Sequence, residues 1–339
     1  MEPVIIVPGL MGSVITTVKD DTQIWPAVTY STLKRLSLNQ NGSQRNDDRA
    51  IATDIIRTAA GRGIYAPIIQ FFVEKGYREG TDLFTFPYDW RLDVAVSARN
   101  LASVIELARS SAKSEQVNIV AHSMGGLVSS QFLTAAEDND RLINNLVMVG
   151  SPLVGAPKAY LSLRFGKDSP IPWFVPFSPS EEEFRSIVGN MPGAYQLLPS
   201  LRWEAFNGQG FVKKGDKVLS VGDTYTTDAD QLFNVPMAER ALEFHQTIDR
   251  QRDRLKHRAF LLMGTGLDTV KFVNVDHNFN FQSTDANING DATVLNLGLR
   301  DYIEPRSTLL FDEVEHLELI RNRDVLNVTY NIIKNGFIS

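Results

Sequence analysis

The stretch NIVAHSMGGLVSSQFL, residues 118–133, sets the fold. An apolar, β-rich run ends in a cluster of small residues, and a helix-like run starts at once. Ser123 sits in the crook, with His122 before it and Gly125 and Gly126 just after. A strand that turns sharply into a helix at a serine is the context of a nucleophile elbow. The turn strains the serine backbone, and small residues two before and two after it avoid clashes. The usual pattern is G-x-S-x-G; here Ala121 takes the place of the first glycine and is small enough to fit. The helix that follows aims its N-terminus at the serine, which makes the N–H of Met124 an oxyanion donor. A helix-capping serine is the alternative, and the βα units upstream weigh against it.

Working outward, PVIIV at 3–7 reads as a buried strand closed by Pro8-Gly9. YAPIIQFFVEKGY at 65–77 has helical periodicity with a glycine near its end, and TDLFTFPYDWR at 81–91 follows as a strand. The segment 93–111 is an amphipathic helix, 116–123 a strand, 125–138 a helix and 143–152 a strand. Apolar strands alternating with amphipathic helices predict an α/β fold, a mostly parallel central sheet with helices on both faces. The first part of the core then spans 1–159, with a polar excursion at about 14–62 looping out over the sheet. Residues 160–235, rich in Pro, Phe, Trp, Ser and Gly, read as an inserted cap or lid. Residues 236–339 complete the core, with a strand at 257–266 and a final helix at 324–336.

The chain has 339 residues, long for one compact core, so two units or one enlarged domain are expected. A hydrophobic content of 43% beside 22% charged residues suits a globular protein. A net charge of −6 without a basic block argues against a nucleic-acid partner, which needs clustered Lys and Arg. With no cysteine, disulfides, thiolate metal sites and cysteine nucleophiles are all excluded. No apolar run reaches the roughly 18 residues of a transmembrane segment. No signal peptide is visible at MEPVIIVPGLMGS, which with the missing cysteines favours the cytoplasm, or secretion if a leader was removed. No G-x-x-x-x-G-K-[ST] loop is present, which disfavours a phosphate-binding enzyme.

A serine nucleophile needs a base, an acid and a second oxyanion donor. That donor belongs in the loop after an early strand, and VPGLMGS at 7–13 offers the N–H of Leu10. Of the five histidines, His122 lies on the wrong side of the turn, His245 and His257 fall in a polar helical region expected to be solvated, and His277 sits in a strand or hairpin. His316, in DEVEHLELIRN, lies late, before the last helix, where the base of a Ser…acid…His order falls. Two acids compete on position: Asp268 after a strand and glycine turn, and Asp291 after Asn-Gly.

Seven motifs in order resemble the lecithin:cholesterol acyltransferase family, which includes lysosomal phospholipase A2 and the phospholipid:diacylglycerol acyltransferases. They are VPGLMGS, FPYDWR at 86–91, AHSMGG at 121–126, GSPLVGAPKA at 150–159, MPGAYQLLPS at 191–200, GDATV at 290–294 and VEHLELI at 314–320. The resemblance implies an α/β-hydrolase fold and a Ser123–Asp291–His316 triad, with Asp268 a different landmark. It also implies the amides of Leu10 and Met124 as oxyanion donors. The animal members carry disulfides and this compact chain has no cysteine, which points to a bacterial relative.

The expected chemistry is acyl transfer through an acyl-enzyme, with no metal or cofactor. The substrate is a lipid or other acyl ester, taken free or from a membrane or micelle surface. Water or an alcohol acts as acceptor, giving a lipase, phospholipase or esterase in one case and an acyltransferase in the other. A non-catalytic lipid-binding module on the same fold is the third reading, and an intact triad argues against it. Trp173 and Phe174, with Val175 and Phe177, form an apolar cluster broken by prolines, either a lid that meets acyl chains or a cap with its own core. Trp90, beside Asp89, is a candidate wall of the acyl pocket; Asp89 and Arg91 alternatively form only a buried ion pair.

Overall fold

The computed structural model describes residues 1–168, 175–226, 233–299 and 307–337. Six strands make the central sheet: β1 (Val4–Val7), β2 (Leu83–Thr85), β3 (Val117–His122), β4 (Ile143–Val149), β5 (Ala259–Thr265) and β6 (Thr308–Asp312). Their spatial order is β2-β1-β3-β4-β5-β6, and every neighbouring pair is parallel. All residues of β1 and β3 are buried. Both faces of these strands are covered, which is why they read as continuous apolar runs rather than as alternation.

The helices that matter for the site are α1 (Ala66–Glu74), α2 (Val94–Ala112), α3 (Met124–Ala135), α4 (Pro157–Phe165), α5 (Glu181–Val188), α6 (Val235–Arg250) and α7 (Arg323–Asn335). Asp93 caps α2 by accepting from the Ala95 N–H, and Asn322 caps α7 by accepting from Asp324 and Val325. Each cap satisfies amides that the helix cannot. α2 packs on α3, and α7 packs on α1 and β4. Among the described residues no helix is long and apolar enough to cross a membrane.

The excursion at 14–62 carries a small three-stranded sheet of its own. Ser13–Thr17 pairs antiparallel with Gln23–Trp25 on one side and Ala50–Ile55 on the other. Ile15, Ile24, Trp25 and Ile55 are buried beneath this small sheet, and the Trp25 indole donates to Met11 O at 2.8 Å. The polar stretch at 39–49 had masked the alternating strands on either side of it. Within 160–235, the segment expected as a cap, the hairpin Val212–Lys214 with Lys217–Leu219 joins Thr269–Val275 and Phe281–Asn287 in one four-stranded sheet.

Candidate active site

Ser123 ends β3 and opens α3 with φ 52° and ψ −123°, a left-handed conformation that an L-residue holds only when its surroundings enforce it. The enforcement is visible. The Ser123 N–H donates to Val149 O of β4 at 2.8 Å. A Cβ on Gly125 would lie 2.6 Å from both Val7 O and Pro8 O, and one on Gly126 would lie 2.0 Å from Ser151 Oγ. These contacts press α3 against β1 and β4, and only glycine permits them.

Residues 291 and 316 come from separate loops. Asp291 follows the turn after Phe281–Asn287, and His316 follows β6. The His316 ring lies between the other two groups, with Nε2 2.9 Å from Ser123 Oγ and Nδ1 2.8 Å from Asp291 Oδ2. Asp291 is fully buried. Its Oδ1 accepts from the amides of Thr293 at 3.1 Å and Val294 at 2.7 Å. The His316 N–H donates to Asp291 O at 3.0 Å, so ring and backbone are both tied to this residue. Asp268, the positional competitor, is exposed.

The loop after β1 carries Leu10. Tyr88 Oη donates to Pro8 O at 2.9 Å, and the Gly9 N–H donates to Tyr65 Oη at 2.8 Å. Among the described residues, neither the Leu10 nor the Met124 amide has a hydrogen-bond acceptor. Leu10 and Ser123 line the same cavity, of about 460 Å³, whose walls include Met11, Ile64, Leu163, Phe184 and Val188. Trp90 forms part of that wall, edge-on to Trp25 at 5.6 Å. Its buried Nε1 has no partner among the described residues. Asp89 and Arg91 form a buried bidentate pair, at 2.8 and 2.7 Å, behind it. Met191, Ala194 and Leu197 bring the 191–200 motif to the cavity. Trp173 and Phe174 lie outside the described residues.

Two histidines depart from expectation. His245 is not solvated: it is buried, with Nε2 3.0 Å from Gln196 O, and burial pushes its pKa down to about 4. His122, set aside as facing the wrong way, lines the cavity and bonds to Tyr65 and to the His316 carbonyl. Burial, and then the neighbouring His316, push its pKa down to about 3. Tyr65 was missed because its position, one residue before α1, carries no sequence signal. His122 did carry one, as an ionisable group closing an apolar strand.

The model of the lecithin:cholesterol acyltransferase family matches residues 17–289. Lecithin-cholesterol acyltransferase-like 4 of Arabidopsis thaliana is 25% identical over 60% of this chain and 44% of its own length. Phospholipase A(1) LCAT3 of the same plant is 32% identical over 40% of this chain and 32% of its own. The chain thus spans less than half the length of these curated relatives. Among solved structures, a chain of the Tle4–Tli4 complex superposes over 98% of both chains with a TM-score of 0.63 at 13% identity, a likeness of fold. With the family's model matched across most of this chain, whose sheet is that of an α/β-hydrolase fold, the chain belongs to the lecithin:cholesterol acyltransferase family.

Proposed function

We propose that this chain hydrolyses or transfers the acyl group of lipid esters, with Ser123 as nucleophile, His316 as base and Asp291 as the acid that orients it. The single observation behind the reading is the continuous line from Ser123 Oγ to His316 Nε2 at 2.9 Å and from His316 Nδ1 to Asp291 Oδ2 at 2.8 Å, beside an apolar cavity. Asp291 can accept only a proton donated by Nδ1, so Nε2 is bare and takes the serine proton as Oγ attacks the ester carbonyl. The imidazolium then protonates the departing alcohol. The amides of Leu10 and Met124 hold the oxyanion; such a donor is worth about 10²–10³ in rate. Water or an acceptor alcohol, deprotonated by the same imidazole, releases the acyl group. The apolar walls suit a fatty acyl chain, Trp90 borders it, and residues 160–235 act as its cap. Docking on a membrane or micelle surface fits a substrate that lives there.

The test is turnover of an ester panel from short to long acyl chains, including phospholipid vesicles with added alcohols, by wild type and Ser123→Ala. Turnover abolished in the variant, with a long-chain optimum, is the expected outcome. The ratio of free acid to new ester then sorts hydrolase from transferase. Equal signals from both proteins would leave the lipid-binding module as the better reading.

A further inference from the structure

We infer that His122 and Tyr65 are positioning residues, a directional hydrogen-bond chain that fixes the base and the oxyanion loop relative to each other across Ser123. The inference rests on the serine-enzyme reading above. Tyr65 Oη accepts from the Gly9 N–H at 2.8 Å, and its contact with His122 Nδ1 is 2.9 Å. His122 Nε2 in turn lies 3.2 Å from the carbonyl oxygen of His316.

The directions follow from donor counting. A carbonyl only accepts, so His122 carries its proton on Nε2 and donates it to His316 O. Nδ1 is then bare and accepts, and the phenol supplies the proton. The phenol oxygen keeps a lone pair for the Gly9 amide. Every donor from Gly9 N–H to His316 O thereby has one acceptor, in one sense along the chain. A proton on Nδ1 as well would oppose the phenol proton, and reversing the phenol would strand that proton in a buried site. Burial and the nearby His316 both favour the neutral ring, in keeping with this order.

The chain joins the two parts whose relative placement the reaction needs. One end is Gly9, whose peptide precedes the Leu10 amide. The other end is the His316 carbonyl; the N–H of the same residue donates to Asp291 O at 3.0 Å. Gly9 packs so closely that an added Cβ would lie 2.8 Å from Ser123 Cβ and 3.0 Å from His122 Nδ1. A shift of the His122 ring would therefore be felt by the loop, the nucleophile and the base together. Misplacement by a fraction of an ångström lowers the rate of the bound complex rather than its formation.

The experiment compares wild type, Tyr65→Phe, His122→Leu, His122→Gln and Ser123→Ala on one ester, with folding checked by thermal unfolding. Tyr65→Phe keeps the ring and removes one hydroxyl; the expected loss is about tenfold or more in kcat with KM changed by about twofold at most. His122→Leu should lose more than His122→Gln, whose amide nitrogen can reoccupy the Nε2 position and donate to His316 O. In parallel, ¹⁵N ring spectra of wild type, with His122 assigned by its loss in His122→Gln, should show a neutral ring protonated on Nε2. Unchanged kcat in Tyr65→Phe and His122→Leu beside an inactive Ser123→Ala, or a His122 ring protonated on Nδ1, would overturn this inference alone. Equal turnover in wild type and Ser123→Ala would overturn the serine-enzyme reading, and this inference with it.

Discussion

Asp291 is held as firmly as it holds. Two backbone amides fix Oδ1 while Oδ2 meets His316 Nδ1. The turn it sits in is itself braced, because the Ala292 N–H donates to Thr269 Oγ1 at 2.9 Å while Ala292 adopts φ 69°. Asp291→Asn would keep the shape and the two amide bonds through its carbonyl oxygen. Its NH₂ group would then face Nδ1, which could accept only if unprotonated. The proton would move to Nε2, and His316 would present a donor to Ser123 where an acceptor is needed. The expected result is a fall in kcat of about 10⁴ with KM and melting temperature nearly unchanged. Steady-state kinetics beside a thermal melt decides it; a loss of less than about tenfold would mean that Asp291 does not set the tautomer.

At the scale of elements, the elbow is a contact between α3 and the loop after β1, and Gly125 is where they touch. A methyl there meets two backbone carbonyls at 2.6 Å, Val7 O and Pro8 O, and neither can rotate away. Either α3 lifts or the loop that carries Leu10 shifts. Gly125→Ala should therefore cost about 1–3 kcal/mol, read as a lower urea midpoint at unchanged slope, and should slow turnover as well. Gly61→Ala is the contrast. Gly61 has φ 77° but nothing within 4 Å, so a methyl there costs about 1–2 kcal/mol of backbone strain and leaves the rate alone. Loss of stability in Gly125→Ala without loss of rate would show that the loop tolerates the shift. The elements around this contact were legible because buried parallel strands and amphipathic helices have different periods: β1, β3, β4 and β5 lie where the apolar runs place them, as do α1, α2, α3 and α7. The small sheet at 13–55 was not legible. Its strands are short, Gln23–Trp25 being only three residues, and their buried residues are separated by long polar turns.

Across the whole molecule, what sequence conveys falls off with separation along the chain. The proposal of Ser123 as nucleophile rests on its immediate neighbours, whereas Asp291 and Asp268 could not be ranked on position and only the family motif puts Asp291 first. The chain Gly9–Tyr65–His122–His316 joins four segments, and no local pattern shows that they meet. The same holds for His245, which sits on a charged helix, α6, yet is buried against the 191–200 motif. Its burial has a consequence for stability. His122 and His245 have folded pKa values of about 3 and about 4, both below the ordinary value of 6.5. Unfolding frees each to bind a proton, so the stability they contribute is complete above pH 6.5. It falls as pH drops through the window down to 4 for His245 and 3 for His122, where the folded state at last binds the proton too. At ~1.4 kcal/mol per pH unit, each group removes roughly 2 kcal/mol between pH 6.5 and 5. Asp249 near His245 works against this shift and is outweighed by burial. His245→Gln removes one titration while its side-chain amide can still donate to Gln196 O. The expected outcome is that urea-derived stability falls steeply from pH 6.5 to 5 in wild type, and by roughly 2 kcal/mol less in His245→Gln. Parallel curves for the two proteins would mean that His245 is reached by solvent in the folded state, and that α6 does not shield it against the 191–200 segment.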